Sequence, residues 1–569
     1  MHLILTISER RVMKKKKSPV GVVLVLALLV AVAGAVTFVV TRVTETKEVM
    51  DGRRYFNLSE ENDIGLVVDQ TVSDMPAKAI DGKIYLPYET TADEINGSFF
   101  VSGDKTTLIV TTPIDKHMLP VSETSADAKN IDGGVYIALD LVREYTDMDC
   151  EEYTEPQRLV ISTAREYNQI RATKDKAAIR YQAGIKSPVL RLASDGESLR
   201  LVGEEDTEVD GWAHVITSDG YRGYISEEAV DGKSEPVTIT RDDRGLVYTH
   251  KLLDKKINMA FHQTTSHAAN NVLAESLTDV TGINVIAPTW FFLDSEDGDM
   301  TEISNKSYVE TAHGAGLLVW GVLNDFDGQV NSSESTLAAL SSEAAREKMI
   351  RTSVDAILDV NADGICLDIE KISEECAPYF LEFVREMSAE CRKNGLYLSV
   401  CDYVPRYTKS LNRKEQARVC DYVICMCYDE HISGSEEAGS VASLPFVESG
   451  IRDTLLEVPA EQTVIAIPFF TRLWKTVSPG IPTANAMGML EAEKWIRSNN
   501  LSTVWDDVCA QEYVEMNSGN TRYQMWLENN ASLEEKLKLI RAADCAGVAE
   551  WKLGLEKADV WDLITEYIS

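Results

Sequence analysis

The C-terminal half of the chain alternates short apolar runs with stretches of helical periodicity. One helical stretch carries Phe380, Phe383 and Met387 on a single face and ends at Gly395. Eight apolar runs are typical of buried strands: Ile257–Phe261, Asn284–Ala287, Leu317–Leu323, Gly364–Ile369, Tyr397–Cys401, Tyr422–Cys427, Val464–Ile467 and Gly547–Trp551. Eight strands alternating with helices predict an α/β fold, a (β/α)8 TIM barrel over residues 245–569. The longest gap, residues 468–546, predicts an inserted subdomain.

Residues 60–165 contain an internal repeat. The string IDGKIYLP from Ile80 matches IDGGVYIA from Ile131, and TTLIVTT around Leu108 matches RLVIST around Leu159, both at an offset of 51 residues. Each copy combines a turn marked by glycine, β-branched strands and a helical or loop middle, which predicts a duplicated α+β module. It resembles the small repeat domain at the N-terminus of some copper amine oxidases, without metal-site residues. We expect a stalk or spacer.

Residues 170–232 have the pattern of a small β-barrel. The string GWAHVITSDGYRGYI places Trp212 and Tyr224 among β-forming residues around a tight turn. The pattern resembles bacterial domains of the Src-homology-3 (SH3) type. Such modules hold wall peptides or pack beside a catalytic domain, and we expect weak binding at most.

The N-terminus predicts a membrane anchor. Lys14 to Lys17 precede an uncharged apolar stretch, residues 19–40, long enough to cross a bilayer as a helix. The positive-inside bias keeps residues 1–18 in the cytoplasm, so residues 41–59 form a linker and the bulk of the chain is extracytoplasmic. A cleaved signal peptide is the alternative, because Ala31, Ala33 and Ala35 offer small residues, but the apolar run is longer than a signal core.

The charge balance excludes one class of partner. The chain has 56 basic and 91 acidic residues and a net charge of -35, and residues 43–569 alone carry -41. Nucleic-acid affinity comes from basic side chains that neutralise phosphates, so nucleic acid is not an expected partner. The membrane is an expected partner only through the N-terminal helix.

Metal and cofactor sites are not indicated by the sequence. Cys425 and Cys427 form a CxC pair, but no second cysteine pair or histidine doublet completes a tetrahedral metal set. Most of the ten cysteines lie in apolar runs where a free thiol packs as a small hydrophobe. Zinc-helix, nucleophile-elbow and phosphate-loop motifs do not occur. The sequence predicts no cofactor and no metal.

The fourth predicted strand carries the strongest chemical signal. In DGICLDIE, side chains alternate across the strand, so Cys366, Asp368 and Glu370 share one face. The two acidic residues have Cα atoms about 6.6 Å apart and would project together at the C-terminal end of the barrel. One ionised carboxylate raises the pKa of its neighbour, and a neutral acid beside a charged partner can protonate a glycosidic oxygen.

DGICLDIE resembles the DxxDxDxE signature of glycoside hydrolase family 18. The similarity continues through MCYDEH at Met426, IPFFTRLW at Ile467, YQMWLE at Tyr523 and GVAEWKLGLE at Gly547, and is greatest to the branch of bacterial cell-wall and spore-cortex N-acetylglucosaminidases. The resemblance covers residues 245–569. It implies a retaining glycosidase in which the acetamido oxygen of the substrate attacks the anomeric carbon, so that no enzyme nucleophile is needed.

The resemblance also implies roles for individual residues. Glu370 would be the general acid and base, Asp368 would hold the acetamide N–H, and Tyr428 would donate its hydroxyl to the acetamide carbonyl. Trp551 would form the floor of the sugar site. Further candidates for substrate contact are Asp429, Tyr403, Arg472 and Trp290.

One position departs from the family pattern. Cys366 stands where the family commonly has Asp, and a thiol is only a weak donor. The expected partner is a polysaccharide, with peptidoglycan favoured because the predicted anchor would hold the barrel beside the cell wall. A chitinase is one alternative, and a wall protein that binds sugar without catalysis is the other.

Overall fold

The computed structural model describes residues 44–203, 209–241 and 246–568, together with Leu24, Leu28, Ala31 and Val32. The chain divides into two compact units, one of Met1–Ile84 with Asp147–Asp242 and one of Tyr85–Thr146 with Asp243–Ser569. Apart from those four residues, the predicted cytoplasmic segment and membrane helix, residues 1–40, lie outside the described part. In the described part, no helix combines the length and apolar character that a membrane crossing requires.

The larger unit contains a closed parallel barrel of eight strands. They are β1 (Ile257–His262), β2 (Val285–Leu293), β3 (Leu318–Asn324), β4 (Gly364–Asp368), β5 (Tyr397–Tyr403), β6 (Tyr422–Met426), β7 (Thr463–Pro468) and β8 (Gly547–Trp551). Neighbours in sequence pair in parallel, and β8 pairs with both β7 and β1, which closes the barrel. A short strand, Met300–Glu302, pairs antiparallel with β2. All eight predicted strands are confirmed, as is the TIM-barrel fold.

Helices surround the barrel, and their ends follow the sequence signals. The helix Ala377–Asn394 stops at Gly395, whose φ of 68° is a left-handed cap that glycine adopts without strain. Its predicted apolar face is buried, with Phe380, Phe383 and Met387 each 0% exposed. The other helices of this ring are Leu273–Ser276, Lys306–Gly314, Ser333–Ser341, Glu343–Val360, Arg413–Val419, Leu444–Thr454, Asn530–Ala542 and Val560–Ile568, with 3-10 turns at His267–Val272 and Ala460–Gln462.

A subdomain is inserted between β7 and β8, as the long gap predicts. It contains one helix, Met489–Ser498, and a five-stranded antiparallel sheet. In spatial order the strands are Thr483–Gly488, Phe470–Val477, Thr521–Leu527, Gln511–Ser518 and Val504–Asp506.

Residues 85–146 belong to the same unit as the barrel. The hydroxyl of Thr111 donates a buried hydrogen bond of 2.6 Å to Oε1 of Glu382, on the barrel helix Ala377–Asn394. The predicted module 60–165 is therefore divided between the two units, because this part packs on the barrel. Its elements are the end of the strand Lys83–Pro87, the strands Phe99–Val101, Thr107–Thr111, Lys116–Pro120, Ala128–Ile131 and Gly134–Ala138, the helices Tyr88–Thr90 and Leu139–Tyr145, and a π-turn at Thr91–Ile95.

The smaller unit is mostly β-structure. Seven strands form one sheet, in the spatial order Val189–Ala193, Ala177–Arg180, Arg222–Ser226, Trp212–Ile216, Ser198–Leu201, Glu166–Arg171 and Glu235–Thr238. The remaining strands are Asp63–Val68, Thr71–Val72, Ala77–Ile80, Asp149–Thr154 and Gln157–Ser162, with a 3-10 turn at Glu227–Ala229. Part of the predicted linker is folded, since Gly52–Tyr55 is helical and Phe56 is buried against Val67 and Tyr221. The SH3-like classification stays a prediction.

Candidate active site

The C-terminal end of β4 carries the two predicted catalytic carboxyl groups. Asp368 is the last residue of the strand and is only 2% exposed, and Glu370 follows two residues later. Every residue of β4 is buried, and Glu370 lies in the segment that directly follows the strand. The strand therefore delivers two acidic groups to the end of the barrel at which TIM-barrel enzymes do their chemistry.

Glu370 is held by a hydrogen bond from the neighbouring strand. Oη of Tyr403, at the end of β5, donates to Oε2 of Glu370 over 2.8 Å. Burial raises the pKa of Glu370 to about 7, the Tyr403 hydrogen bond opposes this rise, and the charge of Asp325 adds to it. A carboxyl group with this pKa keeps its proton up to neutral pH, as a general acid must.

Asp325 supports the backbone of Glu370, and the sequence analysis missed it. Its Oδ1 accepts the backbone N–H of Glu370 at 2.8 Å, and its Oδ2 accepts the N–H of Lys371 at 3.0 Å and the hydroxyl of Thr336 at 2.7 Å. Asp325 is 0% exposed, and burial raises its pKa. The available signal was a polar run directly after the apolar strand β3.

Asp368 lies close to two cysteine thiols as well as to the carboxyl groups of Glu370 and Asp325. The thiol of Cys401 on β5 forms a hydrogen bond with its carboxyl group, and Sγ of Cys401 lies 3.5 Å from Sγ of Cys366. Oδ1 of Asp368 has no hydrogen-bond partner among the described residues. Burial first, and then the charge of Glu370, raise the pKa of Asp368 well above its ordinary value.

Tyr428 lies beside the same pair, two residues after β6. It is 5% exposed, and burial, followed by the charge of Asp368, raises its pKa well above the ordinary value. Its hydroxyl therefore stays protonated and can donate a hydrogen bond. Its ring packs edge-on against Phe470, with the centroids 6.2 Å apart.

Three further predicted residues lie at the same end of the barrel. Asp429 follows Tyr428 with φ of 61°, and its Oδ1 accepts a hydrogen bond of 2.6 Å from Nη2 of Arg472. The charge of Asp429 also acts on Glu370, so this ion pair is close to the predicted catalytic acid. Trp551 ends β8 and is half-buried, with its ring 5.4 Å from that of Phe261.

Trp290 does not belong to this group. It is 0% exposed, its Nε1 donates to Oδ1 of Asn270 at 2.8 Å, and its ring packs edge-on against Tyr308. A side chain with no exposed face cannot stack on a sugar. The prediction of Trp290 as a substrate contact is therefore corrected, and it is a core residue.

The side chains at this end of the barrel offer acid–base chemistry. Glu370 can give and take a proton, Asp368 and Tyr428 can accept and donate hydrogen bonds beside it, and the Arg472–Asp429 pair adds fixed charge. The described residues hold no group of three or more His, Cys, Asp or Glu side chains arranged to bind a metal ion.

Comparison with known proteins agrees with this geometry. The family described as Glycosyl hydrolases family 18 matches residues 256–556. A cortical fragment-lytic enzyme of Bacillus subtilis (strain 168) is 22% identical over 254 residues, covering 43% of this chain and 59% of that relative. An uncharacterized glycosylase of the same organism, YvbX, is 22% identical over 326 residues, covering 54% of this chain and 91% of the relative.

A solved structure shows the same fold. The C-terminal domain of a putative chitinase from Desulfitobacterium hafniense DCB-2 superposes with a TM-score of 0.50 at 19% identity, covering 56% of this chain and 100% of that domain. The chain spans less than two thirds of the cortical fragment-lytic enzyme. The family match takes in more than half of the present sequence, so the chain belongs to the glycosyl hydrolases of family 18.

Proposed function

We propose that this protein hydrolyses β-1,4-linked glycans that contain N-acetylglucosamine, with peptidoglycan as the substrate, by a retaining, substrate-assisted mechanism. The observation that carries the proposal is the Tyr403–Glu370 hydrogen bond of 2.8 Å, which holds an acid of pKa about 7 beside Asp368. An acid that is protonated near neutral pH and positioned by a neighbouring strand is what cleavage of a glycosidic bond requires.

In the first step, Glu370 gives its proton to the glycosidic oxygen as the bond from that oxygen to the anomeric carbon breaks. The carbonyl oxygen of the substrate's own 2-acetamido group bonds to the anomeric carbon and gives an oxazolinium ion. Asp368 accepts the acetamide N–H and stabilises the positive charge, while the hydroxyl of Tyr428 orients the carbonyl. In the second step, water attacks the anomeric carbon, the bond between that carbon and the acetamido oxygen breaks, and the Glu370 carboxylate takes the proton of that water.

The choice of peptidoglycan rests on location and on a relative. The predicted anchor, residues 19–40, would place the barrel outside the cell membrane and beside the wall. The relative named as a cortical fragment-lytic enzyme supports a bacterial wall fragment over chitin. In this proposal the protein is a single-pass membrane protein with its N-terminus in the cytoplasm.

The reaction is tested by comparing the wild type with Glu370→Gln on purified peptidoglycan and on chitin oligomers. We expect turnover to fall by about 100- to 10,000-fold while sugar affinity is kept. Glu390→Gln is the matched control, because Glu390 is 39% exposed on a barrel helix. Equal turnover by wild type and Glu370→Gln would reject the catalytic role, and binding without turnover by the wild type would support a non-catalytic wall protein.

Mass spectrometry of the products separates the substrates. Cleavage of muropeptides after N-acetylglucosamine supports the proposal, whereas intact muropeptides together with cleaved chitotetraose would replace peptidoglycan with chitin. The anchor is tested by N-terminal sequencing of the full-length protein from a membrane fraction. A start before residue 19 supports a retained helix, and a start shortly after Ala35 would show a cleaved signal peptide.

A further inference from the structure

Lys552 is a basic residue at the end of the barrel that carries the candidate active site. It directly follows Trp551, the last residue of β8 and the proposed floor of the sugar site. The backbone on either side of Lys552 is fixed by hydrogen bonds to neighbouring chain segments. The carbonyl of Trp551 accepts the N–H of Phe469 at 2.8 Å, and the N–H of Leu553 donates to the carbonyl of Phe261 at 2.9 Å. Lys552 is therefore held beside the surface on which a sugar would stack.

The ammonium group of Lys552 has an uncharged partner. Its Nζ donates a hydrogen bond of 2.5 Å to Oε1 of Gln263, the residue that follows β1. Within the described ranges, no acidic side chain forms an ion pair with Lys552. An ammonium group has three donors, so the contact with Gln263 leaves donors for a ligand.

The charge of Lys552 is only partly compensated inside the protein. Burial lowers the pKa of this half-buried side chain, and the charge of Asp327 opposes that effect. Asp327 is exposed, so water and salt screen its charge. Burial and the charge of Lys552 lower the pKa of the neighbouring His262 to about 4, so this imidazole is neutral at pH 7. A half-buried cation without an ionic partner favours an anionic ligand.

Arg472 and Lys371 are also basic residues at this end of the barrel, but both have acidic neighbours. Arg472 forms an ion pair of 2.6 Å with Asp429, and the charge of Lys371 acts on Glu370. The whole chain has a net charge of -35, so it repels an anionic ligand at long range. Binding of a carboxylate therefore needs a local cation, and Lys552 is placed to supply it.

From this arrangement we infer that Lys552, with Gln263, binds a carboxylate on the sugar unit next to the one that stacks on Trp551. The inference rests on the proposed function for the identity of the glycan. In peptidoglycan, N-acetylglucosamine alternates with N-acetylmuramic acid, so both neighbours of an N-acetylglucosamine unit at Trp551 carry a lactyl group. The lactyl carboxylate is free, or it is linked to a stem peptide that has carboxylates of its own. Chitin has neither, so Lys552 selects peptidoglycan over chitin.

Binding is measured by calorimetry in the Glu370→Gln background, so that the ligands are not cleaved. The ligands are chitohexaose, glycan strands stripped of stem peptides, the same stripped strands with their carboxyl groups converted to methylamides, and strands that keep their stem peptides. We expect Lys552→Met to weaken binding of the stripped strands about tenfold relative to chitohexaose. Lys552→Arg keeps the charge and should recover part of this affinity. The methylamide strands should not distinguish Lys552→Met from the parent protein.

Lys255→Met is the matched control, because Lys255 is exposed and precedes β1 at the opposite end of the barrel. Added NaCl gives a second readout, since it should weaken binding of the stripped strands more in the parent protein than in Lys552→Met. A loss confined to strands that keep their stem peptides would support the inference and assign the carboxylate to the peptide. An equal loss for chitohexaose, an equal loss in Lys255→Met, or no loss for either kind of strand would overturn it.

Turnover of peptidoglycan by the wild type separates this inference from the proposed function. A wild type that does not cleave peptidoglycan, but whose strand binding depends on Lys552, would reject the proposed reaction and keep the carboxylate site. A wild type that cleaves peptidoglycan, with strand binding that is unchanged in Lys552→Met, would keep the reaction and reject the carboxylate site. Thermal unfolding shows that each variant is folded.

Discussion

Tyr403 and Glu370 join the ends of two neighbouring barrel strands through a single hydrogen bond of 2.8 Å, from the phenol to Oε2. The bond stabilises the carboxylate form of Glu370, so it lowers a pKa that burial raises to about 7. The phenol itself is kept protonated, because burial raises its pKa far above the ordinary value. Tyr403 therefore lowers the pH at which Glu370, the proposed general acid, loses its proton.

Replacement of Tyr403 by Phe should move the pH profile of the enzyme. Without the phenol, the pKa of Glu370 rises further, and the alkaline limb of the kcat/KM profile, which reports loss of the proton from the free enzyme, shifts to higher pH. Rates on peptidoglycan measured from about pH 4 to about pH 10 check this. An alkaline limb at an unchanged or lower pH would contradict the role of Tyr403, whereas a uniform fall in rate would show a contact with substrate alone.

Glu370→Gln should stabilise the protein at alkaline pH. The pKa of Glu370 is raised from 4.5 to about 7 on folding. The folded state binds this proton more tightly, so the wild type loses stability as pH rises from 4.5 to 7 and the loss is complete above 7. Gln has no charge to bury. We expect a gain in unfolding free energy of at most about 3 kcal/mol at about pH 8, and almost none at about pH 4.

Thermal midpoints of wild type, Glu370→Gln and the surface control Glu390→Gln at both pH values measure this difference. A midpoint for Glu370→Gln at the higher pH that equals the wild-type value would show that the carboxylate is adequately solvated in the folded protein.

The thiol of Cys401 should matter for catalysis through its effect on Asp368. It forms a hydrogen bond with the buried carboxyl group of Asp368, and removing it raises the pKa of Asp368 and leaves that carboxylate less stabilised. We expect Cys401→Ala to lower kcat about tenfold with KM almost unchanged. Cys401→Ser should recover most of the rate, because a hydroxyl donates to the same group.

The control for the thiol is Cys391→Ala, which removes an equally buried sulfur from the helix Ala377–Asn394. Rates on peptidoglycan, corrected for the folded fraction, are compared for all three variants. Equal losses in Cys401→Ala and Cys391→Ala would mean that the effect on rate comes from packing.

Periodicity and motif spacing predicted the barrel and the end of β4 because both depend on local patterns. Asp368 and Glu370 follow from strand alternation, and the stop at Gly395 follows from a local cap. Trp290 could not be assigned, since a tryptophan in an apolar run is equally compatible with a core and with a sugar platform. Cys401 lies beside Asp368 because β4 and β5 pair in a particular register. The sequence pattern of one strand does not show which residues of the neighbouring strand lie next to it.

The division of the repeat shows the same limit. The strands of residues 60–165 were recognised, but their assignment to units depends on Thr111 and Glu382, which are 271 positions apart in sequence. Tertiary packing determines contacts of this kind. The sequence around Thr111 and the sequence around Glu382 do not indicate that the two residues meet.

Thr111→Val should weaken the attachment of residues 85–146 to the barrel. The hydroxyl of Thr111 stabilises the carboxylate of Glu382, whose pKa burial raises to about 7. The hydrogen bond to the charged form of Glu382 contributes fully to the free energy of unfolding above this pKa, and contributes less below it. Leaving a buried carboxylate oxygen without this donor should cost about 1–3 kcal/mol of unfolding free energy at about pH 8, and less at about pH 5.

Hydrogen exchange of the amides in Thr107–Thr111 and Lys116–Pro120 measures this loss directly, because these strands would separate from the barrel first. Thr111→Ser keeps the donor and should remain close to the wild type. Both variants are compared at the same two pH values. Exchange that is faster in Thr111→Ser than in Thr111→Val at the higher pH would show that the methyl group of Thr111, which Val keeps and Ser lacks, holds this segment rather than the hydroxyl.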